Sequence, residues 1–243
     1  MLLLTRSGWS GPGFDKSLTN RVQRRVVIKD CGRPIYKASA PSAVFGALEA
    51  CIEGCKSLHA AGFLHRDISE HNILINEDTN DPSWRAFLID FDVATSIEDM
   101  QNLGTERLQV GTREFMALGV LLGEPRSFMH DLESFFWVLV WICTRYVDMN
   151  GTLGPPMYEK WFHMGFHELA EEKSNLISST GAFLDFAEES FMDLYGPTIR
   201  HVDKLRGVVF PSGRRWERED LGLYDRMRAV LKQAQTDLAA MGW

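Results

Sequence analysis

Three side chains with oxygen to offer fall where they could share one reaction. Asp67 and Asn72 lie five residues apart in His65-Arg66-Asp67-Ile68-Ser69-Glu70-His71-Asn72, and Asp90 follows Asn72 by eighteen residues in Ile89-Asp90-Phe91-Asp92. Moving a phosphoryl group asks little covalent work of a protein. It asks for a carboxylate to take the proton of the attacking hydroxyl, and for oxygen ligands that hold Mg²⁺ on the phosphates. One base and two metal ligands meet that demand. A lone Asp or Asn in a polar loop is more often a turn former. What sets these apart is their order: an HRDxxxxN string, an apolar strand, then a second apolar strand ending in Asp.

The surrounding elements must bring the three together. Ile73-Leu74-Ile75 and Ala86-Phe87-Leu88-Ile89 predict two short strands joined by a polar loop over 76–82, a hairpin that returns Asp90 towards Asn72. Upstream, Val44, Phe45, Leu48, Cys51, Ile52, Cys55 and Leu58 recur at helical spacing. Pro41 and Ser42 suit the start of that helix and Gly62 its C-terminal stop. Leu132 to Cys143 is apolar nearly all round, the signature of a fully buried helix. Arg25 to Lys29 reads as a short β-branched strand, and Asp30-Cys31-Gly32-Arg33-Pro34 as the bend after it. Residues 1–20 read as Gly- and Ser-rich loop, and 93–110 as an irregular segment without a period. After Pro155-Pro156 the pattern is helical, with candidates at 157–173, 182–195 and 221–241. The expected fold class is α+β, mostly α, with very short strands near 26–29, 73–75 and 86–89.

Two further strings carry a resemblance. Gly111-Thr112-Arg113-Glu114-Phe115-Met116-Ala117 is similar to the end of a kinase activation segment. His130-Asp131-Leu132-Glu133-Ser134-Phe135-Phe136 is similar to the kinase helix whose Asp holds the catalytic loop. With HRDIS, the wording of these strings resembles the fungal-type protein kinase family, closely over residues 21–145 and beyond that only in helical character. The resemblance implies a protein-kinase-like C-terminal lobe at 36–243, with a catalytic loop at 65–72 and an activation segment at 90–119. Residues 1–35 would be a remnant of the N-terminal lobe and the hinge of an N-terminally truncated kinase. It implies that Asp67 is the base, that Asn72 and Asp90 hold Mg²⁺, and that Thr112 bonds to the catalytic loop. It implies that Asp131 braces that loop, and that Arg66 meets a phosphate or carboxylate on the activation segment. Lys29, Asp30 and Cys31 would lie where backbone meets the adenine of ATP. The activity implied is transfer of the ATP γ-phosphate to Ser/Thr hydroxyls of a protein substrate.

The departures from the family pattern are specific. Ser69 stands where most Ser/Thr kinases carry Lys, which removes a cation from the transferring phosphate. Asp92 stands in place of the Gly of DFG, and Gly119 in place of the Glu that ends the segment, so that Glu's ion pair with a distant Arg is expected to be lost. Gly8, Gly11 and Gly13 do not form GxGxxG, and neither Lys16 nor Lys29 sits in a VAIK-like strand. A chain without that clamp could be a pseudokinase, a binding or scaffold module. It could also depend on a partner that completes the N-terminal lobe. An aminoglycoside-kinase-like small-molecule phosphotransferase also uses HxDxxxxN and an Ile-Asp motif. The 111–117 string with Asp131 after it argues against that reading.

Bulk composition sets the frame. The chain has 243 residues, 45% of them hydrophobic, enough for one large core. A net charge of −7 disfavours nucleic acid or an anionic membrane as partner. No apolar run approaches the roughly 20 residues of a membrane span, so the expected location is intracellular, cytoplasmic or nuclear. Cys31, Cys51, Cys55 and Cys143 lack zinc spacing and read as reduced thiols. His163 and His167 do not form HExxH, and Arg214-Arg215-Trp216 reads as a solvated loop.

Overall fold

The run Phe128–Arg145 forms the longest-buried element of the computed structural model, which describes residues 30–100, 109–155 and 160–243. We call this helix α4. Every residue from Phe128 to Thr144 in it is buried, as its lack of a polar face requires. Ser127 caps it: its hydroxyl accepts from the Met129 amide (3.3 Å), while His130 Nδ1 accepts from the Ser127 amide (2.9 Å). Before α4 come β1 (Arg33–Pro34), α1 (Pro41–Ala60), β2 (Phe63–Leu64), β3 (Ile73–Ile75), β4 (Ala86–Leu88), β5 (Thr95–Ser96), α2 (Ile97–Met100) and α3 (Leu118–Leu121). After it come α5 (Lys160–His163), α6 (Phe166–Ile177), α7 (Thr180–Ser190), α8 (Ile199–Val209) and α9 (Gly222–Ala240). The fold is α+β and mostly α.

α4 packs on α1 and α8, and α1 lies along α9. Phe136, Trp137, Phe183 and Phe210 interlock at ring-centroid distances of 5.0–6.1 Å. Each such ring removed from water contributes roughly 1.5–3 kcal/mol. α1 begins with Pro41 at its first turn and ends at Gly62, whose φ of +84° only glycine adopts freely. Its buried face is Val44, Phe45, Leu48, Cys51, Ile52 and Cys55, the face its periodicity predicted.

Two small sheets position the polar loops. In the first, β1, β3 and β4 are antiparallel in the order β1-β3-β4, with Leu74 opposite Phe87 and Pro34 opposite Leu74. In the second, β2 pairs with β5, Leu64 opposite Thr95. The irregular reading of 93–110 therefore needs correction at its start. Thr95–Ser96 is held as strand by β2, a tertiary pairing that no local period announces. The segment over 157–173 is likewise interrupted: α5 ends at His163 and α6 starts at Phe166. The strand expected at 26–29 lies outside the described residues. No helix among the described residues is long and apolar enough to cross a membrane.

His130 carries a pH consequence. Burial, with Arg126 and Arg215 near it, lowers its pKa from 6.5 to about 3. Between those values the unfolded chain binds a proton that the folded chain refuses, so stability falls as pH drops below about 6.5. The expected slope from this one group approaches ~1.4 kcal/mol per pH unit. Urea unfolding at pH 7 and pH 5 checks it: His130→Gln should lose less stability across that interval than the parent chain. Equal losses would mean that His130 is protonated in the fold.

Candidate active site

The loop 65–72 hangs from α4 by its backbone. Asp131 Oδ2 accepts from the His65 amide at 2.8 Å and Oδ1 from the Arg66 amide at 3.0 Å. Both carboxylate oxygens are buried, and Arg126 Nη1 lies 3.9 Å away as counter-charge. Burial raises the Asp131 pKa, opposed by Arg126, His65 and the two amides. Burial lowers Arg126 to about 10, which leaves it charged at neutral pH. Arg126 also donates to the carbonyls of Arg66 (2.9 Å) and Val110, tying this loop to the segment after 109. Nothing in the spacing singles out Arg126, which sits in the irregular Pro125-Arg126-Ser127 stretch before α4.

Asp67 stands at the meeting point. Its Oδ1 accepts from the Thr112 amide and the Thr112 hydroxyl, both at 2.8 Å. Its Oδ2 accepts from Asn72 Nδ2 at 3.2 Å, and that amide also donates to the Asp67 carbonyl at 2.9 Å. The hairpin then closes as the sequence predicts: the Ile89 amide donates to the Asn72 carbonyl at 3.0 Å, which sets Asp90 beside the loop. His65 Nε2 lies 3.1 Å from the Ile89 carbonyl, and Phe91 packs on the His65 ring at 5.0 Å.

Backbone strain concentrates here. Arg66 has φ 72° and Asp90 φ 62°, two of three non-glycine residues with positive φ among those described. Such conformations cost on the order of 1–3 kcal/mol each and cluster at functional sites. Asp92, in the place of a glycine, does not need a positive φ, so its side chain costs nothing there. Gly111 does need one: its φ is 113°, and a Cβ would sit 2.5 Å from the Arg66 carbonyl.

Arg66 reaches the segment that follows Asp90. Its Nη1 donates to Thr95 Oγ1 (2.6 Å) and the Val93 carbonyl (3.3 Å). An ion pair does form beside Gly119, through another carboxylate. Arg215 pairs with Glu124, and a Cβ on Gly119 would lie 2.5 Å from Glu124 Oε2. The Glu124 carboxylate occupies the space a side chain at 119 would enter. Trp216 stands 5.0 Å from the His130 ring and is partly buried, while Arg214 is exposed, so the 214–216 loop is solvated in part.

Other candidates lie apart. Asp30 Oδ1 accepts from the Trp84 amide (3.3 Å), and the Cys31 amide donates to Ser83 Oγ (3.2 Å), which puts both on the hairpin loop. Lys29 lies outside the described residues. Cys31 is exposed, and Cys51, Cys55 and Cys143 are buried free thiols. His163 and His167 fall on different helices. Among the described residues no group of three or more His, Cys, Asp or Glu is placed to hold a metal. Asn72 spends its Nδ2 on Asp67, which leaves its oxygen for another partner, and Asp90 is exposed. An amide oxygen and a carboxylate suit Mg²⁺, which takes few protein ligands and completes its shell with water and phosphate.

Known proteins are similar to part of this sequence. Dual specificity testis-specific protein kinase 2 of Homo sapiens is 37% identical over 93 residues, 38% of this chain and 16% of that protein. A probable serine/threonine-protein kinase of Dictyostelium discoideum is 33% identical over 93 residues, 38% of this chain and 21% of that protein. Activin receptor type-2A of Xenopus laevis is 28% identical over 131 residues, 52% of this chain and 24% of the receptor. The chain thus spans only a minor part of the length of each of these relatives. The profile of the fungal protein kinase family matches residues 6–143, more than half of the sequence and all of the loop, hairpin and α4 bonds described above. That match takes in the HRDIS loop and the HDLES helix from which it hangs, and the chain belongs to the fungal protein kinases.

Proposed function

We propose that this domain transfers the γ-phosphate of ATP to Ser/Thr hydroxyls of a protein substrate, with 36–243 as the catalytic lobe. The observation that carries this reading is the shared carboxylate of Asp67, fixed by Thr112 on one oxygen and Asn72 on the other. Held so, Asp67 can accept the proton of an acceptor hydroxyl without first paying to orient itself. Asn72 and Asp90 would hold Mg²⁺, which when bound supplies charge to neutralise the phosphates. Thr112 belongs to the segment that would face the acceptor, which favours a protein over a small molecule. Lys29, Asp30 and Cys31 remain proposed contacts of the adenine.

One observation favours a second reading, a nucleotide-binding pseudokinase. Ser69 is 2% exposed, so the position where a lysine would face the phosphate offers nothing to it. The proposed partner completing the N-terminal lobe has a surface to meet. A groove of about 720 Å³ runs between α1 and β4, lined by Leu58, Phe87, Phe91 and Trp84, the last 74% exposed. Asp30 sits at its rim through Trp84.

Titration with Mg²⁺ and a nucleotide tests the metal assignment. Asp90→Asn should weaken Mg²⁺-dependent nucleotide binding by about tenfold, ~1.4 kcal/mol, because a full charge facing the cation is removed. Ser69→Ala should change it little. Equal effects of the two substitutions would remove Asp90 from the metal site.

A further inference from the structure

A lysine with no exposed surface lies beneath the segment that carries Thr112. Lys173, on the inner face of α6, is 0% exposed. Its Nζ donates to the carbonyls of Glu114 and Met116, each at 2.8 Å. The ammonium sits 4.4 Å from the ring centre of Trp137 and 5.3 Å from that of Trp161, a cation–π cage. From the opposite side, Glu133 of α4, also buried, accepts from the Leu118 amide (2.7 Å) and from Trp137 Nε1 (3.0 Å). A buried lysine and a buried glutamate thus grip one five-residue stretch, 114–118.

Packing alone does not account for this. Burying an ammonium costs several kcal/mol even when it is paired, and a methionine would fill the same cage without that cost. What only the ammonium supplies is two donors for two carbonyls. The amides of Phe115 and Met116 turn back to the carbonyls of Thr112 and Arg113. The carbonyls of 114 and 116 point the other way, to the lysine. Burial lowers Lys173 to about 7, with Glu133 and Glu114 opposing the shift. Those two carboxylates favour its charged form, while burial raises the Glu133 pKa and so opposes charge on both partners.

We propose that Lys173 is a positioning residue: it sets the turn at 112–118 in the one conformation that presents Thr112 to Asp67, with Glu133 as its counter-anion. This rests on the reading of Asp67 as the reacting carboxylate, and it makes α6 part of the machinery that shapes the acceptor side. A displacement of α6 would be transmitted to Thr112 through two carbonyls and one turn.

Amide hydrogen exchange on the full 1–243 chain, read by mass spectrometry, tests it. In Lys173→Met, peptides covering 109–121 should lose about tenfold or more of their protection, while peptides of α8 and α9 keep theirs. Unchanged protection at 109–121 would overturn the proposal. So would a proportional loss across the whole domain, which would make Lys173 an ordinary core residue. If Lys173→Met does not fold, Glu133→Gln, which preserves shape, carries the same two readings. Because exchange is read without nucleotide or acceptor, failure here is distinct from failure of the phosphotransfer reading.

Discussion

Asp67→Asn is expected to lower phosphotransfer by about 10²–10⁴-fold, the usual worth of a positioned base, with nucleotide affinity nearly unchanged. The effect on rate has two sources. The amide cannot take the acceptor's proton. It also brings a donor to a place that already receives three: Thr112 N–H and O–H on Oδ1, and Asn72 Nδ2 on Oδ2. If the new amide keeps its oxygen on Thr112, its NH₂ faces the Asn72 NH₂, and one of them must turn away. Nucleotide affinity is spared in so far as Asn72 holds its orientation. The assay is single-turnover transfer from radiolabelled ATP with Mg²⁺, in a form of the protein with a complete nucleotide cleft, beside a separate nucleotide titration. Parental turnover in the variant would mean that Asp67 is not the base.

Asp131→Ala should destabilise the fold by about 3–5 kcal/mol, the range for breaking a buried ion pair from one side. The His65 and Arg66 amides lose their acceptor. The buried Arg126 guanidinium loses the Asp131 carboxylate 3.9 Å away, while its bonds to the Arg66 and Val110 carbonyls remain. Asp131→Asn should cost less, because one oxygen still accepts an amide. Denaturant unfolding of the three proteins orders them. A loss under about 1 kcal/mol in Asp131→Ala would show that the loop does not depend on α4 for its shape.

α4 and α1 could be read from the sequence because their burial is written in apolar spacing: continuous from Leu132 to Cys143, one-faced from Val44 to Cys55. The hairpin was legible because each strand has three apolar residues in a row and a polar loop between. The bond of Asn72 to Asp67, and the return of the strand before Asp90 to Asn72, followed from those elements. The unread parts are held by partners far along the chain. Thr95–Ser96 is strand only because Phe63–Leu64 lies beside it. Glu124 lies in the space a side chain at 119 would enter and pairs with Arg215, ninety-one residues on. Lys173 gave no periodic signal, since a lysine on a helix is by default a surface residue. Its partners are two backbone carbonyls, which carry no residue type to recognise.

The pairing of α1 with α9 fixes the order in which this protein can be finished. Arg228 reaches back to Glu49 at 2.8 Å, and Asp225 to Lys56 at 2.7 Å, across 169 to 179 residues of chain. On the ribosome, at about 5–20 residues per second, α1 is complete roughly ten to thirty seconds before the helix that covers it exists. During that wait part of its surface has no permanent neighbour. α9, made long after α1, thus closes this part of the fold, and a nascent chain stalled before it would present α1 to whatever holds unfinished proteins in the cell.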